Sequence, residues 1–203
     1  MDLPRSLASI AEYSALLVRL RSVHAAYENA LGLFDWTATG IDFASRRRAR
    51  WLEEDISITA PGYILERTHC YHVGTFEEAV GILYVLEGSS LGGQVMLRQA
   101  TLLPGISAIA GARFFAGHGD RTAQMWNDFV AILNRLAGED SASAAIELGA
   151  LEAFAKFTAA LSAGSLREAV PTCTDPAQQH LSARDLSQTA TLTRLKWVSA
   201  TDE

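Results

Sequence analysis

The segment Tyr84-Val-Leu-Glu-Gly-Ser-Ser-Leu-Gly-Gly-Gln94 gathers the residue types best placed for unusual chemistry in this chain. Gly88, Gly92 and Gly93 fall inside a pattern that otherwise reads as strong helix, and each interior glycine costs a helix roughly 0.5–1 kcal/mol relative to alanine. Gly88 and Gly92 stand four apart, hence on one helical face, where bare backbone can approach a flat object closely. Ser89 and Ser90 add hydroxyls able to bond backbone or water. Three explanations compete: a kinked helix packed closely on another, a loop joining two shorter helices, or a platform for a ligand. A phosphate loop is disfavoured, because no Lys-Ser/Thr pair follows Gly93 and no strand precedes Gly88. Elsewhere, His69, Cys70 and His72 suggest a metal site, but no further ligand is in range, and a surface loop is the plainer reading. His118 sits between Gly117 and Gly119, and His180 falls in a polar C-terminal stretch.

The elements that must position these residues are helical nearly throughout. Ile10, Tyr13, Leu16, Leu17, Leu20, Val23, His24 and Tyr27 recur at three- and four-residue steps, with Ser9 and Glu12 as a capping box. Gly32 and Gly40 bracket a break, and residues 42–55 read as a second helix. Residues 56–74 read as a connection. Thr75 and Glu78 form another capping box, opening a long pattern from Phe76 to about Gln99. Residues 100–117 read as loop, followed by helices over 120–136 and 141–161, the last stopped near Gly164. The spacing predicts an all-α fold of one multihelical domain over 1–165. Residues 166–203 are expected to be a polar, poorly ordered tail anchored only by Trp197.

Composition narrows the function classes. The chain has 203 residues with 49% hydrophobic and 20% charged, and a net charge of -6. That balance suits one globular domain and disfavours a nucleic-acid partner. Two cysteines, Cys70 and Cys173, are too few for a disulfide framework. The N-terminus shows no signal pattern, and no apolar run is expected to reach the length of a membrane span, so a cytoplasmic protein without a membrane partner is expected.

The glycine segment closely resembles the distal helix of bacterial heme oxygenases, especially those that accompany bacteriophytochromes. Two further segments agree: Phe114-Phe-Ala-Gly-His-Gly119 followed by Met125, Trp126 and Phe129, and the arginine-rich Asp42 to Asp55. The resemblance spans roughly Tyr13 to Leu161 in the right order. It implies a helical fold that sandwiches heme, as substrate and cofactor, between a proximal and a distal helix. It further implies oxidative cleavage of heme to biliverdin, CO and iron with O2 and electrons from a reductase or ferredoxin. A bacteriophytochrome receiving the biliverdin is a further expected partner. On this resemblance Gly88, Ser89, Gly92 and Gly93 supply the distal backbone and its water network, and Gly88, Gly92, Gly93, Gln94 and Arg121 contact heme.

The family's proximal iron ligand is a histidine of the first helix, four residues before a glutamate. His24 and Glu28 have that spacing. However, His24 stands closer to the glycine segment than the family's ligand does. In the alternative register, residues 13–31 are the second helix, His24 is a partly buried helix histidine, and the ligand helix is absent from the chain as written. That register leaves two outcomes: a non-catalytic binding or regulatory module, or a complete enzyme whose true start lies upstream. Asn127 stands where the family often carries an arginine that meets a heme propionate. Arg121, Arg113 or Arg46 to Arg48 can take that role, although a solvated helix surface explains Arg46 to Arg48 equally well.

Overall fold

Ser9 opens the first helix as the spacing predicts. Its backbone is extended, and its hydroxyl accepts the Glu12 N–H at 3.2 Å. The Glu12 carboxylate returns to the Ser9 hydroxyl rather than to its N–H. Helix α1 then runs Ile10–Leu31. The computed structural model describes residues 7–68, 70–138 and 140–162, all within the unit Met1–Val170. The expected tail, with His180, Cys173 and Trp197, lies outside them, as does His69.

The helix expected over 42–55 is two helices, α2 (Phe43–Arg46) and α3 (Ala49–Thr59). The chain turns extended at Arg47, because the next two N–H groups are claimed from elsewhere. Those of Arg48 and Ala49 donate to the Glu28 carboxylate of α1 at 2.7 and 2.9 Å. Glu28 thus caps α3 from another helix, satisfying donors that a helix start leaves open. The following connection starts later than expected, after Thr59.

Thr75 caps α4 (Phe76–Gly88), accepting the Glu78 N–H at 3.2 Å. The long pattern expected to reach Gln99 breaks at 89–92 and resumes as α5 (Gly93–Ala100). The expected loop over 100–117 contains the short helix α6 (Arg113–Ala116). A 3-10 turn at Gly119–Arg121 leads into α7 (Thr122–Leu136), and α8 (Asp140–Ser162) closes the described chain. Among the described residues there is no strand, only isolated bridges from Ser107 to Ala110 and Gly111.

Two apolar clusters hold these helices. One joins the end of α1 to α4, α7 and α8 through Tyr27, Leu31, Ile82, Leu83, Phe129 and Ile146. The other joins the start of α1 to α3 and α6 through Tyr13, Leu17, Leu52, Ile56, Phe114 and Phe115. The α4–α8 contact is backbone against backbone. A Cβ built on Gly81 would lie 1.9 Å from the Ile146 carbonyl oxygen, and one on Gly149 would lie 2.1 Å from that of Glu78. Contrary to the sequence expectation, Phe76–Ala100 is long and apolar enough to cross a membrane by composition. The burial of Val80, Ile82, Leu83, Val85 and Leu86 in the protein core accounts for that composition.

Candidate functional site

Between α4 and α5 the helix tightens instead of unwinding. The N–H groups of Ser90, Leu91 and Gly93 donate to the carbonyls three residues back, at 3.0, 3.1 and 3.1 Å. The break is therefore two helices joined by a 3-10-like turn, between the kink and the loop considered above. Among the acceptors this tightening frees is the Leu86 carbonyl, which in a regular α-helix would take the Ser90 N–H. The Ser89 hydroxyl donates to it at 2.6 Å, and the Arg48 guanidinium donates to it as well. The Ser90 hydroxyl donates to the Glu87 carbonyl at 2.5 Å. Both hydroxyls are thus engaged with backbone, and Ser89 also accepts from Arg48 at 2.9 Å.

The three glycines separate by environment. Gly93 is buried, and a Cβ there would meet the Phe115 carbonyl oxygen at 2.7 Å. Close packing of α5 on α6 explains it. Gly88 and Gly92 have no such reason. A Cβ on Gly88 would meet only the Trp126 ring, at 3.6 Å, an ordinary contact, and one on Gly92 would meet only the Ser89 carbonyl, at 4.0 Å. Gly92 has φ -77, open to any residue. The fold requires glycine at neither place, while helix propensity disfavours it at both. Ser89, Gly92 and Gln94 are exposed along this stretch. Tyr84 and Trp126, 5.4 Å apart between ring centroids, flank it. Arg121 is exposed at the head of α7, and Asn127 is exposed further along it.

Behind the turn lies a buried charge network that sequence reasoning missed. Arg46 and Arg48 are 9% and 2% exposed, so they are not a solvated helix surface. Arg46 pairs with Glu87 at 2.8 Å and donates to the Met125 carbonyl. The Arg48 guanidinium lies over the Phe114 ring at 5.0 Å. Only Arg47 is half exposed, 3.6 Å from Glu28. Arg113 stacks on Trp51 at 4.0 Å. Asp55 accepts the Arg113 and Phe114 N–H groups at 2.8 Å each, capping α6. Of the arginines considered as carboxylate partners, Arg121 is the exposed one without a partner in this network.

His24 is a core residue. It is 1% exposed, its ring wedged between Phe114 and Phe157 at 4.9 and 5.3 Å. Its Nδ1 lies 3.8 Å from Glu28, too far for a hydrogen bond, and neither ring nitrogen has a partner. In this position it has no open face to offer an iron. His118 turns its ring edge to Trp51 at 5.0 Å, with Nε2 buried. Among the described residues no group of three His, Cys, Asp or Glu side chains can hold a metal ion.

Burial, opposed by Glu28 and assisted by Arg48, pushes the His24 pKa down. Burial and the surrounding guanidiniums push His118 down to about 4. A histidine kept neutral in the fold binds its proton first in the unfolded chain. Stability is then lost as pH falls below the unfolded value of about 6.5. Asp55 and Glu152, pushed up by burial, titrate with the opposite sign, so the informative quantity is a difference. His24→Phe is expected to flatten the fall in melting temperature between about pH 7 and pH 5. Equal slopes in parent and variant would place His24 in contact with solvent.

A model of the heme oxygenase family matches residues 5–163 of this chain. A heme oxygenase of Xanthomonas campestris pv. campestris (strain 8004) is 30% identical over 153 residues, covering 74% of this chain and 89% of that protein. The fold is similar to that of the NO- and CO-bound heme oxygenase from Neisseria meningitidis, with a TM-score of 0.67 at 25% identity, over 81% of this chain and 79% of that one.

Proposed function

The chain belongs to the heme oxygenase family, and from that premise we propose that it binds heme against the Gly88–Gly92 face and cleaves it oxidatively to biliverdin, CO and iron. O2 and electrons from an external reductase or ferredoxin drive the reaction, and a bacteriophytochrome is a receiver for the biliverdin. One observation carries the reading: Gly88 and Gly92 are glycines that neither backbone conformation nor packing calls for. They keep clear a strip of helix surface that a flat macrocycle can fill. The residues present therefore fit the distal side of heme. They do not fit iron ligation by His24, whose ring is enclosed.

Heme, when bound, supplies the iron at which O2 is activated. The protein's part is placement. Gly88 and Gly92 admit the macrocycle, Tyr84 and Trp126 flank it, and Gln94 and Arg121 are the polar groups available to its edge, Arg121 as partner for a propionate. Gly93 and Ser89 act one step behind, Gly93 by letting α5 close on Phe115 and Ser89 by fixing the turn through the Leu86 carbonyl.

The test is a hemin titration followed by reductant and O2. A saturable Soret band and conversion to a green, biliverdin-like spectrum are expected. Hemin that only bleaches or precipitates would sink the catalytic reading. His24→Ala is expected to leave the Soret position unchanged in folded protein. Gly92→Leu is expected to keep the ligand-free fold and lose most hemin binding. If Gly92→Leu bound hemin like the parent, the open strip would not be the site.

A further inference from the structure

We propose that Arg48 is a positioning residue that sets the shape of the glycine turn, and through it the shape of the heme-facing strip. The Arg48 guanidinium reaches that turn from the start of α3, across the interior of the protein. Its Nη2 serves both acceptors, the Leu86 carbonyl and the Ser89 hydroxyl. The Leu86 carbonyl is one that the 3-10 turn leaves without its helical N–H; without Arg48 it would keep only the Ser89 hydroxyl, whereas a regular helix would give it the Ser90 N–H. In a regular helix, Ser90 N–H would bond Leu86 and the 89–92 backbone would shorten and widen toward α4 geometry. The guanidinium therefore stabilises the tightened form specifically.

The residue is well secured for this task. Its own N–H donates to Glu28 of α1, and its guanidinium plane rests on Phe114 of α6. Arg48 thus couples the end of α4 to α1, α3 and α6 at one point. Lysine carries the charge but neither the fork nor the flat face, so it can replace only part of the arrangement.

The claim about the turn stands on these contacts alone, and its consequence for heme rests on the functional proposal above. Arg48→Met and Arg48→Lys are compared with the parent in two measurements. The first is amide hydrogen exchange of the ligand-free protein, followed for peptides covering 86–96 and for peptides of α1. The second is the hemin dissociation constant from Soret titration.

Arg48→Met is expected to speed exchange at 89–93 by about tenfold more than in α1, and to weaken hemin about tenfold, the size of one lost charged hydrogen bond. Arg48→Lys recovers part of both. Equal acceleration in α1 and the turn would overturn the proposal, since that is global destabilisation. So would unchanged exchange at 89–93. If Arg48→Met does not fold, Arg48→Lys decides: it keeps the charge and loses the fork, and an absence of local acceleration relative to the parent overturns the claim. If the parent binds no hemin, the functional proposal fails, while the exchange measurement still decides the role of Arg48.

Discussion

Gly81→Ala should lower the unfolding free energy by about 3 kcal/mol or more, and Gly149→Ala by a similar amount. Helix propensity alone predicts the opposite sign, a gain of roughly 0.5–1 kcal/mol for each interior glycine replaced by alanine. The contacts decide against it. The new Cβ would lie 1.9 Å from the Ile146 carbonyl oxygen in one case and 2.1 Å from that of Glu78 in the other. Both obstacles are backbone of a facing helix, so no rotamer change relieves them. Helices α4 and α8 must move apart, opening the packing of Ile82, Leu83, Ile146 and Ala153. The two contacts share one interface, so the double variant should cost less than the sum of the singles. Urea unfolding followed by circular dichroism measures all three. A neutral or stabilised Gly81→Ala would mean that α4 and α8 are not in backbone contact. Because α4 runs straight into the glycine turn, hemin affinity should fall with stability in these variants. In Gly92→Leu it should fall alone.

The N-caps at Ser9 and Thr75 were legible in the sequence because capping is local; the return bonds of a full capping box do not form, since Glu12 meets the Ser9 hydroxyl and Glu78 the Gly74 N–H. The glycine turn was legible for a related reason, since glycines in a helical pattern demand a cause. Their separate causes were not. Gly93 faces the Phe115 backbone, more than twenty positions later, whereas Gly88 and Gly92 have only ordinary contacts, with the Trp126 ring and the Ser89 carbonyl, and only the folded chain distinguishes the two. The break at Arg47 was hidden because the cap that splits the helix comes from Glu28, on α1. The same distance hid the fate of Arg46 and Arg48. A run of three arginines reads as solvated surface because burying a guanidinium requires partners. Here Glu87, Leu86 and Met125 supply them from α4 and α7. Gly81 and Gly149 leave a signal in the sequence, lone glycines in otherwise apolar helical stretches, but the facing backbone that requires them lies more than sixty positions away. His24 had two readings in the sequence, iron ligand or helix histidine. The ring wedged between Phe114 and Phe157 makes it a core side chain.

Glu87→Ala should cost about 3–5 kcal/mol, the range for removing one partner of a buried ion pair. Glu87 is 4% exposed and meets Arg46 at 2.8 Å. Its carboxylate also lies in the field of Arg48, and burial pushes its pKa up against the pull of both arginines. Without it, two buried guanidiniums are left with Glu28, which Arg47 also approaches. The excess positive charge has no route to water except by moving α2 or the end of α4. Glu87→Gln keeps the shape and one acceptor oxygen, so it should fall between parent and alanine. Denaturant midpoints at neutral pH give the ordering, and a Glu87→Ala loss below about 1 kcal/mol would show the pair to be hydrated. Arg46→Met with Glu87→Met removes both charges and their desolvation cost together, and should regain a large share of the single-variant loss. Stability regained in this way need not restore the site. Glu87 immediately precedes Gly88, and its carbonyl holds both the Ser90 N–H and the Ser90 hydroxyl. If the ion pair fixes the register of the glycine turn, the double methionine variant will be stable yet bind hemin more weakly than the parent. If it serves stability alone, hemin affinity will return with the fold.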